Sequence, residues 1–185
     1  MMKNVAVLVG SLRAASINRR FAEALAKLAE GRLAFRFVEI GDLPIYNDDL
    51  WAEPPAAVTR LRQDIAAADA VLLVTPEYNR SYAPALSNAI HWATRPWGQN
   101  AWAGKPAAIT GTTPGATGTA AGQNALRHLA SSVGLDLMIF PEVYWTWKDT
   151  HFDGSTLTDA ESAKFLSGWI DAFSGFIDRH TKVAA

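Results

Sequence analysis

Apolar residues fall along this chain in two rhythms. Residues 3–9, 70–75 and 105–110 each hold an unbroken apolar run (Val5-Ala6-Val7-Leu8-Val9, Ala70-Val71-Leu72-Leu73-Val74, and Pro106 to Ile109), as in parallel strands buried on both faces. Residues 33–40, with Phe35, Phe37 and Glu39 on one side, and residues 135–143 read as two further strands. Between these runs the spacing changes to three and four. Phe21, Leu25 and Leu28 form one stripe; Val58, Leu61 and Ile65 a second; Leu86, Ile90 and Ala93 a third. A helix is expected over about 119–132, and a closing helix from about Asp159 carries Leu166, Trp169, Ile170, Phe173 and Ile177 on one face. Segments 41–55, 95–104 and 144–156 lack either period and are expected to be irregular. Five strands alternating with helices predict an α/β fold, a three-layer sandwich around a five-stranded parallel sheet of order 2-1-3-4-5, spanning residues 1–185 as one domain.

The polar positions cluster where strands end. The first expected strand leads into Gly10-Ser11-Leu12-Arg13-Ala14-Ala15-Ser16-Ile17-Asn18, the third into Pro76-Glu77-Tyr78-Asn79-Arg80-Ser81, and the fourth into Gly111-Thr112-Thr113-Pro114-Gly115-Ala116-Thr117-Gly118. In the expected strand order these three turns share one rim, beside the switch point where open α/β sheets bind ligands. The first turn combines a helix N-terminus with Ser11, Ser16, Asn18 and the guanidinium of Arg13, which suits an anion. Equally, it could be an ordinary loop with Ser16 as helix cap. It lacks the Gly-Lys-Ser/Thr of a P-loop and the spaced glycines of a dinucleotide fingerprint, so a mononucleotide phosphate suits it better than a pyrophosphate. Tyr78 and Asn79 in the second turn can flank a flat heterocycle, and Thr112, Thr113 and Gly115 can close its far edge.

Composition narrows the chemistry. The 185 residues hold no cysteine, which removes disulfide, thiol and iron–sulfur chemistry. The four histidines are scattered, so no metal centre is expected. A net charge of -1 suggests neither a nucleic-acid nor a membrane partner. No segment nears the roughly 18 apolar residues of a membrane span, and the first strand starts almost at the N-terminus, so a cytoplasmic protein without signal peptide is expected. Redox chemistry would need an organic cofactor. FMN, with one phosphate and a planar ring rich in hydrogen-bonding groups, fits the three turns.

The chain resembles the NADPH-dependent FMN reductases, in particular the bacterial quinone, chromate and azo-dye reductases. Gly10-Ser11-Leu12-Arg13 with Ser16 and Asn18, Pro76-Glu77-Tyr78-Asn79-Arg80-Ser81, Pro84, Leu86, Asn88-Ala89-Ile90, Trp92 and Ala103-Gly104-Lys105-Pro106 carry the similarity nearly end to end. Ser87, Tyr82, His91 and Thr119 depart from the usual pattern; at Thr119, after Gly118, the family often has a second glycine. The resemblance implies a flavodoxin-like fold with bound FMN and NADPH or NADH as electron donor. Ser11, Arg13, Ser16 and Asn18 would bind the phosphate, with Leu12 and Ile17 also at the cofactor. Pro76, Glu77, Tyr78, Asn79 and Ser81 would meet the ring and ribityl chain, and Thr112, Thr113 and Gly115 the flavin edge. The chemistry would rest on FMN, with no catalytic side chain and ping-pong transfer to a small-molecule acceptor: a quinone, a flavin, an azo compound or a metal oxyanion. A function of another class is a flavodoxin-type electron carrier without NAD(P)H activity. Trp92, Trp97, Trp102, Trp145 and Trp147 raise the expectation of a homodimer or homotetramer, although some could cap the core. Arg127 and Glu142 stand where pairing is possible between subunits or within one chain.

Overall fold

A computed structural model describes residues 2–183. Its elements run β1 (Lys3–Val9), α1 (Ile17–Leu28), β2 (Leu33–Phe37), α2 (Ala56–Ala67), β3 (Ala70–Val74), α3 (Pro84–Thr94), β4 (Pro106–Thr113), α4 (Ala120–Ser132), β5 (Asp136–Leu137), β6 (Tyr144–Thr146), β7 (Phe152–Asp153), β8 (Thr156–Leu157) and α5 (Ala160–Val183). The main sheet has the expected order β2-β1-β3-β4-β5, and all its pairings are parallel.

Strand alternation divides the interior into two cores. Val5, Val7, Val9, Leu72 and Val74 face α1 and α5, packing on Phe21, Leu25, Ile170 and Phe173. Ala6, Leu8, Val71, Leu73 and Ile109 face α2, α3 and α4, packing on Leu61, Ile65, Leu86, Ile90 and Leu126. Because both faces of β1 and β3 are buried, every side chain of these central strands between Val5 and Val9 and between Ala70 and Val74 must be apolar. The helices start where local chemistry permits. Ser16 caps α1, its Oγ accepting from the Arg19 N–H at 3.1 Å, and Pro84 opens α3, where its missing N–H costs nothing.

The expected fifth strand over 135–143 is instead broken in two. Leu137 pairs with Ala107 and Tyr144 with Gly111, so seven residues cross an interval that four residues of β4 cover. The surplus leaves the ladder at Ile139, Phe140 and Pro141. Pro141 has no N–H to donate, and Phe140 is 84 % exposed. Val143 turns back into the core, and its carbonyl accepts from Gln123 Nε2 at 2.9 Å. The chain then rejoins β4 as β6, inside a segment expected to be irregular, and β7 and β8 add a small antiparallel hairpin there. The second strand stops at Phe37 rather than residue 40, although the Val38 N–H still reaches the Val7 carbonyl at 2.9 Å.

The tryptophans divide differently from the interface expectation. Trp92 and Trp102 are fully buried and donate to the carbonyls of Pro44 and Ile90. Trp147 is buried and stacks on Phe152 with ring centroids 4.0 Å apart. These three belong to the chain's own core; Trp97 is 87 % exposed and Trp145 partly buried. Arg127 Nη2 lies 2.9 Å from Glu142 Oε1 within one chain.

Candidate functional site

At the C-terminal rim of the sheet the turns after β1, β3 and β4 converge. Ser11, Arg13, Ser16, Ile17, Asn18, Pro76, Glu77, Tyr78, Thr112 and Thr113, with Pro114, line one cleft of about 230 Å³. Asn79 and Ser81 line an adjoining hollow that shares Glu77 and Tyr78 with this cleft. Leu12 is exposed and points to a groove on the other side of the first turn, alongside Ile45, Tyr46, Pro84, Ala85 and His91. Gly115 lies in the exposed part of the third turn, where its N–H donates to Thr113 Oγ1 at 3.3 Å.

The first turn is rich in unpaired donors. The backbone N–H groups of residues 11–15, and those of Ile17 and Asn18 in the first turn of α1, bond to no partner among the described residues. Arg13 is exposed and likewise has no ion-pair or hydrogen-bond partner there. Gly10 sets the loop close to α3: a Cβ at this position would come within 2.7 Å of the Ala83 Cβ and 2.9 Å of Leu86 Cδ1. Free amides, a helix N-terminus and one guanidinium make a donor set that fits a phosphate monoester.

Asn18 is only 2 % exposed, and its side-chain amide makes two hydrogen bonds to one residue. Its Nδ2 donates to the Thr112 carbonyl and its Oδ1 accepts from the Thr112 N–H, both at 2.9 Å. It therefore ties the first turn to the end of β4, which runs to Thr113 and so takes in Thr112 and Thr113, expected in the turn; its backbone N–H is unpaired and open to a ligand.

The second turn is a two-residue hairpin. The N–H of Tyr78 and that of Ser81 each donate to the other's carbonyl at 2.9 Å. Asn79 and Arg80 sit between them at φ 52° and 64°. Left-handed backbone at both central positions defines a type I′ turn, common for asparagine and unfavourable for arginine. Thr75 supports the base of the turn, its Oγ accepting from the Ala83 N–H at 3.2 Å. The Glu77 side chain is 7 % exposed. Burial opposes its ionisation, but hydrogen bonds from the Gly122 N–H, Arg80 and the Ala121 N–H outweigh that and hold the carboxyl below its usual range. Thr119 is left-handed at φ 67° and fully buried. Its Oγ1 accepts from Gln123 Nε2 at 3.0 Å.

The turns that the sequence placed at one rim do meet there, but the sequence did not reveal the cross-links of Asn18 and Glu77, which join residues 94 and 44 positions apart. Nor did it single out Pro114 or the apolar groove beside Leu12. Among the described residues no group of side chains could hold a metal ion, and no helix is long and apolar enough to cross a membrane.

Comparisons with known proteins agree with this geometry. Residues 3–151 match the NADPH-dependent FMN reductase family. The chain is 42 % identical over 178 residues to a 2-hydroxy-1,4-benzoquinone reductase of a Burkholderia species, covering 96 % of this chain and 97 % of that one. It is 45 % identical over 175 residues to a quinone reductase of Pseudomonas putida, covering 94 % of each. In three dimensions it superposes on FerB of Paracoccus denitrificans, a flavoenzyme NAD(P)H:(acceptor) oxidoreductase, with a TM-score of 0.95 and 52 % identity over 97 % of this chain and 99 % of that one. An archaeal flavodoxin at 9 % identity and a TM-score of 0.59 shares the fold alone. The chain belongs to the NADPH-dependent FMN reductase family and is an oxidoreductase that works with FMN and NAD(P)H.

Proposed function

We propose that this enzyme reduces quinones with electrons from NADPH or NADH, the three-turn cleft holding FMN. The carrying observation is the polarity of the cleft: unpaired amides and Arg13 at one end, hydroxyls and a hairpin backbone elsewhere. Ser11, Arg13, Ser16 and the backbone N–H groups of Ile17 and Asn18 would grip the phosphate. Pro76, Tyr78, Asn79 and Ser81 would border the ring, with Thr112, Thr113 and Gly115 at its edge. FMN, when bound, supplies a ring that accepts hydride from NAD(P)H and returns electrons to an acceptor. The chain contributes binding, orientation and exclusion of water. With donor and acceptor using one ring face in turn, the kinetics should be ping-pong.

The groove lined by Leu12, Ile45, Tyr46, Pro84 and Ala85 supports a flat apolar acceptor, and the quinone reductases among the relatives support the same choice. Free flavins, azo compounds and metal oxyanions such as chromate are further acceptors of the proposal. The need for NAD(P)H supports a cytoplasmic location. The exposed Trp97, Ile45 and Phe140 support a homodimer or homotetramer, for which sedimentation of the loaded protein should give a species above the 20.0 kDa chain. Anaerobic mixing of the FMN-loaded protein with NADPH should bleach the flavin band within seconds, and a quinone should restore it. No bleaching with either nicotinamide would reject the enzyme and leave an electron carrier.

A further inference from the structure

Two helices begin at this rim, and the second is capped by a residue from another turn. The Thr119 backbone is left-handed and its hydroxyl is turned to Gln123, so it gives α4 no side-chain cap. Glu77 takes that place. Its Oε2 accepts from the Ala121 N–H at 3.0 Å and the Gly122 N–H at 3.2 Å, while its Oε1 accepts from Arg80 Nη1 at 2.7 Å. The remaining first-turn amides of α4 are also used, Ala120 by the Thr117 carbonyl and Gln123 by the Thr119 carbonyl. Gly122 brings the helix against the turn itself: a Cβ there would lie 2.9 Å from the Ser81 carbonyl oxygen and 3.4 Å from Glu77 Cα. No side chain larger than hydrogen fits without moving one element off the other.

We propose that Glu77 is a positioning residue: by capping α4 across the gap, it fixes the hairpin of residues 78–81 in its flavin-facing shape before any cofactor arrives. This rests on the assignment of that hairpin to the flavin ring. The Glu77 carboxylate then binds no part of the flavin. It closes the α4 N-terminus to anions and keeps Asn79 and Arg80 in left-handed backbone that an unanchored turn would abandon. Reach matters here more than charge. Arg80 is 72 % exposed at its side chain, so its ion pair adds little, whereas the two amides of α4 need an oxygen at the end of a three-carbon arm.

Three variants separate these contributions. Glu77→Gln keeps an oxygen at the same distance and should bind FMN within about threefold of wild type. Glu77→Asp keeps the charge but falls a methylene short. It should weaken FMN binding about tenfold or more, as should Glu77→Ala, in line with loss of a charged hydrogen bond. Titration of apo-protein by quenching of FMN fluorescence gives the affinities. Hydrogen exchange in the apo-protein supplies a readout independent of the cofactor: the Ala121 and Gly122 amides should be protected in wild type and Glu77→Gln, and exposed in Glu77→Asp and Glu77→Ala. Wild-type affinity in Glu77→Ala, or rapid exchange of both amides in the wild-type apo-protein, would overturn the proposal. So would the reverse ranking, Asp retaining affinity and Gln losing it. Failure of wild type to bind FMN would reject the flavin assignment instead, while the exchange pattern would still judge the cap.

Discussion

The N-termini of α1 and α4 stand at the same rim with opposite electrostatics. At α1, the cap is local, from Ser16, and the amides of Ile17, Asn18 and residues 11–15 remain unpaired beside an unpaired arginine. At α4, every first-turn amide has a protein acceptor, two of them a buried carboxylate. A helix dipole alone would favour anions at both ends equally. What separates them is whether the protein has already spent the donors. One terminus is left for a ligand, and the other has become part of the frame that shapes the site.

The largest effect that tests this contrast should come from Asn18, which fastens the open terminus to the end of β4. Asn18→Ala strips both partners from the Thr112 backbone and leaves a buried N–H and C=O unsatisfied. At roughly 1–3 kcal/mol for each unsatisfied group, the loss of stability should be about 3 kcal/mol in urea unfolding of the apo-protein. A loss under about 0.5 kcal/mol would mean that the first turn is held by packing and that the amide pair is incidental.

A smaller but more selective effect should follow from Arg13→Ala. Arg13 has no hydrogen bond or ion pair among the described residues to lose, so the apo-protein should melt as wild type does. FMN affinity should fall about tenfold or more, the order of a hydrogen-bonded charge, while riboflavin affinity stays unchanged. Equal weakening toward riboflavin and FMN would move Arg13 off the phosphate and erase the distinction between the two termini.

How much of this was legible follows from the range of each interaction. β1, β3 and β4 were plain because burial on both faces allows almost nothing but apolar residues, and three such strands with helices between them leave few topologies. The turns were legible because they directly follow those strands. The fifth strand was not: residues 135–143 carry Leu135, Leu137, Met138, Ile139, Phe140 and Val143, an apolar string that hides which of them face outward. Only the lone Pro141 hints at the break. The cross-linking role of Asn18 and Glu77 was not legible, since a polar residue that meets a ligand and one that ties two turns together look alike until its partner is known. Those partners are backbone groups of residues 112, 121 and 122, whose identity leaves no trace in composition. Trp92, Trp102 and Trp147 show the same limit in apolar form, since a buried and an interfacial tryptophan are one letter.

The smallest effect serves as a control at the opposite end of the sheet. His180 in α5 has Nδ1 3.0 Å from the Phe176 carbonyl, and its Nε2 is in close contact with the Asp136 carboxylate at the start of β5. Only the imidazolium can donate from both nitrogens. The Phe176 carbonyl raises the His180 pKa most; burial opposes this, Asp136 adds to the rise, and nearby Arg179 works against it. A pKa raised by folding means that the charged form is the one the fold prefers. Its contribution is therefore fully present below the unfolded histidine value, about 6.5, and disappears as pH rises through the elevated folded value. Wild-type stability in urea should drop between pH 6 and pH 8.5 by more than that of His180→Gln, the difference between the two proteins isolating this group from other titrations. FMN affinity should show no such difference between them, because the pair fastens α5 where the sheet begins and the cofactor turns lie where it ends. If His180→Gln also weakened FMN, the rim would not be the self-contained frame that its cross-links describe, and the contrast between its two helix ends would have to be traced through α5.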